Sequence, residues 1–348
     1  MDSPKVTVLM PVYNGEKYLE EAVESILSQT FRDFEFIIID GGSTDGTPAI
    51  LARYQQTDDR IRVYYQENQK LVASLNMGCQ LARAEYIARM DADDVSLPKR
   101  LAREVNYLET HPEIGVLGTW MELINENSVP QNKVRVPTSP WLIGWSLIFA
   151  NCMVHSSVMM RRDIVEQLGF YRPEALQAED YDLWARASPI TKLANIPEVL
   201  LRYRSWQGGA SSRHSQMVEQ YTVMVMHSMI VRLLGSDVSL ETVSSLRRVV
   251  IGLPLANHQQ IDQVTALVKQ LHRAYLNTTS LNRAETREVA QDAGMRLLIL
   301  AASTSKISLV KRFRILVQAL RLSPRLFWSK QIIVGGTRKV VKIMLRRS

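Results

Sequence analysis

The first hundred residues alternate short apolar runs with stretches of helical periodicity, and this alternation constrains the fold more than any other feature. It predicts an α/β protein whose mostly parallel, doubly wound sheet is flanked by helices. The predicted buried strands are residues 6–10, 34–39, 61–65 and 86–90, and helices over 16–29, from Thr47, and over 72–84 separate them.

Polar side chains follow three of these strands, at the point where each strand ends. The clusters are residues 13–15, after a strand that ends at Pro11, residues 40–42, and residues 91–94. The carboxyl ends of parallel strands meet at one edge of a sheet, and folds of this kind bind ligands there. The three clusters therefore predict a ligand site at this edge.

Asp91 and Asp93 are the central pair of acids at that edge. On an extended chain, side chains two positions apart point to the same side, so we expect the two carboxylates to lie together. A hard divalent cation such as Mg²⁺ or Mn²⁺ relieves their repulsion, and it could bridge to phosphate groups. The alternative is an acidic turn in which an aspartate caps the helix that starts near Pro98.

Asp40 and Tyr13 each allow a functional and a structural interpretation. A carboxylate at position 40 could accept hydrogen bonds from a nucleobase or a ribose, or it could cap its own turn. Tyr13 could stack on a base, or its ring could simply pack into the fold.

Glu179 and Asp180 open a short predicted helix, whose dipole stabilises their negative charge. A carboxylate in a closed cleft could act as a general base on a hydroxyl group; helix capping is the structural alternative. The sequence contains no GxxxxGK[ST] and no HExxH, which argues against a P-loop kinase or ATPase and against an HExxH zinc site.

The C-terminal part of the chain is helical in pattern and strongly basic. We predict an α/β domain over residues 1–212 and a helical extension over residues 213–348. No acid follows Asp292, whereas thirteen Lys and Arg lie from Arg296 to Arg347, interleaved with aliphatic and aromatic residues. This mixture predicts contact with an anionic membrane surface. The alternatives are a solvated basic helix packed on the domain and, as a weaker option, nucleic-acid binding.

The rest of the composition bears on the compartment. The two cysteines, Cys79 and Cys152, cannot form a disulfide framework, and the N-terminus lacks an apolar signal segment. We therefore expect the protein in the cytoplasm, with its basic segments at the inner face of the cell membrane. The uncharged stretch 141–160 is long enough to span a bilayer, but its Gly, Asn, His and Ser residues favour a buried helix and strand.

Taken together, five segments resemble the inverting family 2 glycosyltransferases of GT-A fold, of the type that builds bacterial surface polysaccharides. The resemblance implies a Rossmann-type sheet with a nucleotide-sugar half over about 1–98 and an acceptor half over about 99–212. It also implies a UDP-sugar as the default donor, a saccharide or lipid-linked acceptor, and Mn²⁺ or Mg²⁺. No nucleic-acid partner is expected. The five segments, in family order, are residues 6–15, 25–30, 39–47, 86–94 and 178–184.

The resemblance also implies roles for individual residues. Asp180 would be the catalytic base, and Glu179 would shape the acceptor site. Asp93 and Asp91 would hold the metal, with Asp91 also near the ribose or the sugar. The residues that the resemblance places against substrate are Pro11, Tyr13, Asn14, Asp40, Lys70, Asp91, Ala92, His155 and Trp184.

Four of these positions have roles that can be stated more closely from the resemblance. Tyr13 would flank the nucleobase, and Asp40 would contact the uridine-like part of the donor. Lys70, where many members have glycine, would reach the base or a phosphate, or else be solvated. His155 would serve the acceptor or phosphate side, or else be a hydrogen-bonded core histidine.

The sequence departs from the family pattern next to these residues. Many members have a second acid at the position of Gly41. Many also have a histidine, sometimes near the metal, at the position of Trp206; here Gln207 or His214 could take its place.

Family members act by a single displacement, in which the base deprotonates the acceptor hydroxyl and the diphosphate leaves with inversion. A nucleotidyltransferase is a competing enzyme class, but residues 11–15 do not form the basic, glycine-rich loop that it needs. The non-enzymatic alternative is a catalytically impaired protein that binds nucleotide sugars or acts as a membrane scaffold.

Overall fold

The computed structural model describes residues 3–67, 70–175, 177–206, 216–303 and 308–324. The chain forms two compact units: Met1–Thr138 with Met153–Val218, and Ser139–Cys152 with Glu219–Ser348. The predicted domain boundary at residues 212 and 213 lies outside the described residues. The short segment Ser139–Cys152 belongs to the unit that holds the C-terminal helices, which the sequence did not predict.

The first unit is built around a nine-stranded sheet among its described residues. Its strands are β1 (Val6–Val12), β2 (Phe34–Asp40), β3 (Ile61–Tyr65), β4 (Tyr86–Arg89), β5 (Val95–Ser96), β6 (Ile114–Ile124), β7 (Pro130–Val134), β8 (Met159–Arg161) and β9 (Lys192–Arg204). They follow the order β3-β2-β1-β4-β8-β6-β9-β5, and β7 pairs with β6.

The half of the sheet formed by β3, β2, β1 and β4 is entirely parallel. Every residue of β1 and β2 is buried, as expected for parallel strands covered on both faces. The predicted α/β fold with its parallel strands and flanking helices is therefore confirmed. Pro11 does not end β1, because the strand continues to Val12 and pairs with β2 as far as Asp40.

The other half of the sheet was not predicted from the sequence. Strand β8 joins β4 and β6 in antiparallel orientation, β6 runs parallel to β9, and β5 pairs antiparallel with β9. Strand β9 is long enough to pair with β5, and its end brings Arg204 and, just after it, Trp206 to the turn that follows β4.

Helices cover the sheet of the first unit, and the predicted ones lie within a few residues of their observed bounds. The helices are α1 (Leu19–Leu27), α2 (Thr47–Thr57), α3 (Leu71–Leu81), α4 (Arg100–Thr110), α6 (Arg162–Gln167) and α7 (Glu179–Ala187), with a 3₁₀ turn at His155–Ser157.

The second unit is helical throughout its described residues. Its helices are α5 (Pro140–Leu147), α8 (Gln216–Leu234), α9 (Leu240–Val250), α10 (His258–Thr278), α11 (Arg283–Ser303) and α12 (Leu309–Leu322). Helix α5 and strand β8 confirm the predicted helix and strand within 141–160. No helix in the described part of the chain is both long and apolar enough to cross a bilayer.

Candidate active site

The loops after β1 and β2 are bonded to each other at the carboxyl edge of the sheet. Asn14 has a positive φ of 50°, and its Oδ1 accepts a hydrogen bond from the backbone N–H of Thr44 at 2.8 Å. The Asn14 backbone N–H donates to Ser43 Oγ at 2.8 Å. Tyr13 is 61% exposed. Its ring therefore does not pack into the core and stands free at this edge.

Asp40 ends β2 and is 1% exposed. Its Oδ1 accepts hydrogen bonds from the backbone N–H of Ser43 at 2.9 Å and from Ser43 Oγ at 2.6 Å. The carboxylate therefore caps its own turn, as the structural interpretation stated. A contact with the donor remains a prediction.

Three aspartates form a tight cluster after β4. Asp91, Asp93 and Asp94 each offer a carboxylate oxygen, and these oxygens lie within 4.8 Å of one another. Burial and the charge of Asp91 raise the pKa of Asp93. The chain at Asp91–Asp93 is a turn and not the extended segment that the sequence argument assumed. The carboxylates of Asp91 and Asp93 nevertheless come together.

Asp94 is fully engaged by the protein. Its Oδ1 accepts the backbone N–H of Arg204 at 2.8 Å, and its Oδ2 accepts the hydroxyl of Ser156. Burial, followed by the charges of Asp91 and Asp93, raises its pKa well above the usual range. Asp94 therefore ties the acidic turn to β9 and to the 3₁₀ turn.

A second acidic group lies at the start of α7. Glu179 is 7% exposed, and burial together with the charge of Asp180 raises its pKa to about 7. Asp180 is only partly buried, and its Oδ1 accepts the backbone N–H of Tyr181 at 2.6 Å. Of the two acids, Asp180 is thus the more accessible to a substrate.

His155 lies beside this second group. Its Nδ1 is 4.0 Å from Glu179 Oε1, and its Nε2 is 2.9 Å from the hydroxyl of Tyr171. Burial, reinforced by the charge of Arg89, holds its pKa well below the usual range. His155 is therefore a neutral, hydrogen-bonded histidine inside the fold, and it also contacts the predicted acceptor side.

Arg89 connects the two acidic groups electrostatically. It is 2% exposed and forms an ion pair with Asp91. Its charge opposes the rise in pKa that burial imposes on Glu179 and on Asp93. One buried guanidinium thus lowers the pKa of an acid in each of the two groups.

The roles of four further predicted substrate residues remain predictions, and the structure gives their burial and position. Pro11 is buried within β1, and Ala92 is partly buried beside Gly15. Lys70 is exposed at the residue before α3. Trp184 is 0% exposed and packs edge-on against His155, with their ring centroids 6.1 Å apart.

Sequence reasoning placed Asp94 in the predicted polar cluster without a role of its own, and it missed Arg89, Ser156 and Arg204. Arg89 stands in a predicted buried strand, and a charged residue there could have signalled a partner in the acidic turn. Ser156 and Arg204 could not have been found, because the 3₁₀ turn and β9 bring them to the site from distant parts of the chain. Gln207 and His214, the predicted substitutes for a metal-binding histidine, lie outside the described residues.

The comparisons with known proteins identify the family. Residues 7–169 match the sequence profile described as glycosyl transferase family 2. The O-antigen biosynthesis glycosyltransferase WbnJ of Escherichia coli is 36% identical over 204 residues, which are 57% of this chain and 79% of WbnJ. The chain belongs to glycosyltransferase family 2. The activity class that the resemblance implied, a glycosyltransferase, is confirmed.

Solved structures confirm the GT-A fold of this family 2 glycosyltransferase. S. aureus TarS 1–349 in complex with UDP-GlcNAc has a TM-score of 0.56 and 17% identity, covering 93% of this chain and 92% of that one. The mannosyltransferase PcManGT from Pyrobaculum calidifontis, in complex with GDP-Man and Mn²⁺, has a TM-score of 0.51 and 17% identity, covering 95% of this chain and 89% of that one.

The acidic turn of this family 2 glycosyltransferase fits a divalent metal ion. Its donors are carboxylate oxygens, which Mg²⁺ and Mn²⁺ prefer over softer ligands. Burial and, after it, the charge of Asp91 raise the pKa of Asp93, and a cation would relieve the repulsion between the two carboxylates. Because Asp94 is engaged through both oxygens, Asp91 and Asp93 are the residues that would hold the ion.

Proposed function

We propose that this glycosyltransferase moves a sugar from a nucleotide diphosphate-sugar, with a UDP-sugar as the first choice, to an acceptor hydroxyl with inversion. The observation that supports this most strongly is the electrostatic pairing of two acidic groups, Asp91 with Asp93 and Glu179 with Asp180, through the buried Arg89. One group suits a diphosphate with its metal, and the other suits a hydroxyl that must lose its proton.

In the proposed reaction Asp180 takes the proton from the acceptor hydroxyl. The acceptor oxygen then bonds to the anomeric carbon while the bond from that carbon to the diphosphate breaks, and the diphosphate departs with the electron pair. Glu179 is more deeply buried than Asp180, so its carboxylate is less accessible to an acceptor hydroxyl, and we assign it to the shape of the acceptor site. Mn²⁺ or Mg²⁺, when bound, would neutralise charge on the leaving diphosphate.

On the donor side, the exposed ring of Tyr13 is available to stack on a nucleobase. The bonds between the loops after β1 and β2 fix the backbone on which Tyr13 stands. We propose that Asp40 and Lys70 complete the donor side, with Lys70 reaching a base or a phosphate from the start of α3.

We further propose that the acceptor is a lipid-linked or growing surface glycan at the cytoplasmic face of a membrane. WbnJ is named for O-antigen biosynthesis, and the C-terminal segments are basic and apolar. In α12, three large apolar residues, Leu309, Val310 and Phe313, are 82%, 64% and 65% exposed. Arg314 and Arg321 are exposed on the same helix. Such a face suits an anionic bilayer.

Nucleotide release from a panel of nucleotide sugars, with Mn²⁺, Mg²⁺ or EDTA, tests the proposed reaction. We expect metal-dependent release by the wild type and a loss of turnover of roughly 10²–10⁴-fold in Asp180→Asn, with donor binding retained. Asp93→Ala should lose the metal-dependent release.

Asp163→Asn is the matched control. Asp163 is an exposed acid in the first turn of α6, and its Oδ1 accepts the next backbone N–H at 2.8 Å, as that of Asp180 does. The variant should keep wild-type turnover. Donor binding without release, even with lipid-linked acceptors, would favour a catalytically impaired nucleotide-sugar-binding protein instead. No metal-sensitive binding to any nucleotide sugar would refute the proposal.

A further inference from the structure

Several carboxylate oxygens of the acidic turn already interact with donors from the protein itself. Asp91 uses Oδ2 for its ion pair with Arg89, and Asp94 uses both oxygens. Asp93 uses Oδ2 to accept the indole N–H of Trp206, with Nε1 and Oδ2 2.9 Å apart. Within the described part of the chain, no side chain donates a hydrogen bond to the second oxygen, Oδ1, of Asp91 or of Asp93.

Trp206 is held in place by packing around its ring. The ring lies edge-on to that of Tyr18, with centroids 5.3 Å apart, and Lys17 Nζ lies 5.5 Å from its centroid. Tyr18 is itself buried. The indole is therefore set between α1 and the acidic turn, and its N–H is directed by the fold.

The C-terminal end of β9 also forms hydrogen bonds to the acidic turn. Arg204, 2% exposed, donates from Nε to the carbonyl oxygen of Asp93 at 2.7 Å and from its backbone N–H to Asp94. The backbone of Asp93 and one oxygen of its side chain are thus both fixed from β9. The remaining freedom of the carboxylate is small.

An indole nitrogen carries a hydrogen and has no lone pair to offer, so Trp206 cannot itself bind a metal ion. A hydrogen bond to a carboxylate is charge-assisted and strong. A metal ion and an N–H can share one carboxylate when each takes a different oxygen. Partners of this kind orient metal-binding side chains, and their loss costs about 10–100-fold in metal affinity.

We propose that Trp206 is a positioning residue for the metal ion that Asp91 and Asp93 would hold: it fixes Oδ2 of Asp93 and so leaves the other carboxylate oxygen of Asp93 available to the ion. This inference rests on the proposed function, because that function assigns the metal to these two aspartates. It makes Trp206 part of the metal site, although its side chain cannot serve as a ligand.

Trp206→Phe tests the inference, since phenylalanine keeps a ring in the same place and removes the N–H. We expect the affinity for Mn²⁺ alone, measured by electron paramagnetic resonance of the free ion, to fall at least about tenfold. Trp120→Phe is the matched control, because Trp120 is also partly buried and donates from Nε1 to the carbonyl of Val136 at 2.9 Å, in β6. It should bind Mn²⁺ as the wild type does.

Thermal unfolding of both variants shows whether either substitution disturbs the fold. Wild-type or tighter Mn²⁺ binding by a folded Trp206→Phe protein would overturn the inference, and so would a wild type that binds no Mn²⁺. Nucleotide release by the wild type is a separate measurement. Release with unchanged Mn²⁺ affinity in Trp206→Phe refutes the inference and leaves the proposed function standing. If Trp206→Phe weakens Mn²⁺ binding but the wild type releases no nucleotide, the inference about Trp206 stands and the proposed transfer reaction is refuted.

Discussion

At the scale of single residues, Arg100 bonds to the backbone just before the acidic turn. It is 0% exposed, and its Nη2 donates to the carbonyl of Arg89 at 2.8 Å and to that of Val158 at 3.3 Å. Its Nε is 3.2 Å from Glu104 Oε1. Burial raises the pKa of Glu104 to about 7, and the charge of Arg100 opposes that rise. Arg100 thus joins the end of β4 to the residues before β8.

Arg100→Met should lower the free energy of unfolding by about 3–5 kcal/mol, because it leaves the buried Glu104 without its ion-pair partner. It also removes the guanidinium donor from the carbonyl of Arg89. Arg103→Met on the same helix is the control. Arg103 forms an exposed ion pair with Glu198, and its loss should cost less than about 1 kcal/mol. Urea denaturation followed by tryptophan fluorescence measures both. Equal effects of the two substitutions on the free energy of unfolding would contradict the stabilising role that we assign to the buried Arg100.

At the scale of secondary-structure elements, α3 packs so closely on β1 that only glycine fits at the contact. A Cβ on Gly78 would lie 2.0 Å from Leu9 Cδ1, and Leu9 is 1% exposed in the middle of β1. This contact fixes the distance between the helix and the strand that leads to Tyr13.

Gly78→Ala should therefore destabilise the protein by about 1–3 kcal/mol through overpacking, even though alanine is the better helix former by about 1 kcal/mol. The same substitution in a Leu9→Ala background should be neutral or stabilising, since the obstructing methyl groups are gone. Denaturant unfolding of the four proteins forms a double-mutant cycle. Additive effects would show that the close contact is not responsible.

At the scale of the whole molecule, the net charge of +7 is concentrated where the sequence contains no acids, after Asp292. The exposed apolar residues of α12 add a term that does not depend on salt. We expect binding to vesicles that contain anionic lipid, weaker binding to neutral vesicles, and partial loss in high salt because screening removes only the electrostatic part.

Leu309→Ser should weaken that binding about tenfold, the effect of withdrawing one leucine from an apolar environment. Leu240→Ser is the matched control. Like Leu309, Leu240 is the first residue of its helix after a serine cap and is exposed, at 53%, but an acid, Glu241, follows it. Vesicle co-sedimentation measures both. Equal binding to neutral and anionic vesicles would rule out the proposed surface.

The sequence by itself determined the parallel half of the sheet and the positions of its polar clusters. Strands β1 and β2 are buried on both faces and therefore appear as apolar runs, and residues directly after them necessarily lie at the carboxyl edge. Asp91 and Asp93 were found for the same reason, although the turn that joins them was taken for an extended segment.

Tertiary structure alone decided how that edge is completed. Strand β9 begins about a hundred residues after Asp91 in the chain, and its position beside β6 and β5 is set by sheet pairing. No local pattern records that pairing, because it depends on which surfaces remain to be buried once the other strands are in place. It brings Arg204 and Trp206 to the acidic turn and so determines which oxygens of Asp93 and Asp94 remain available.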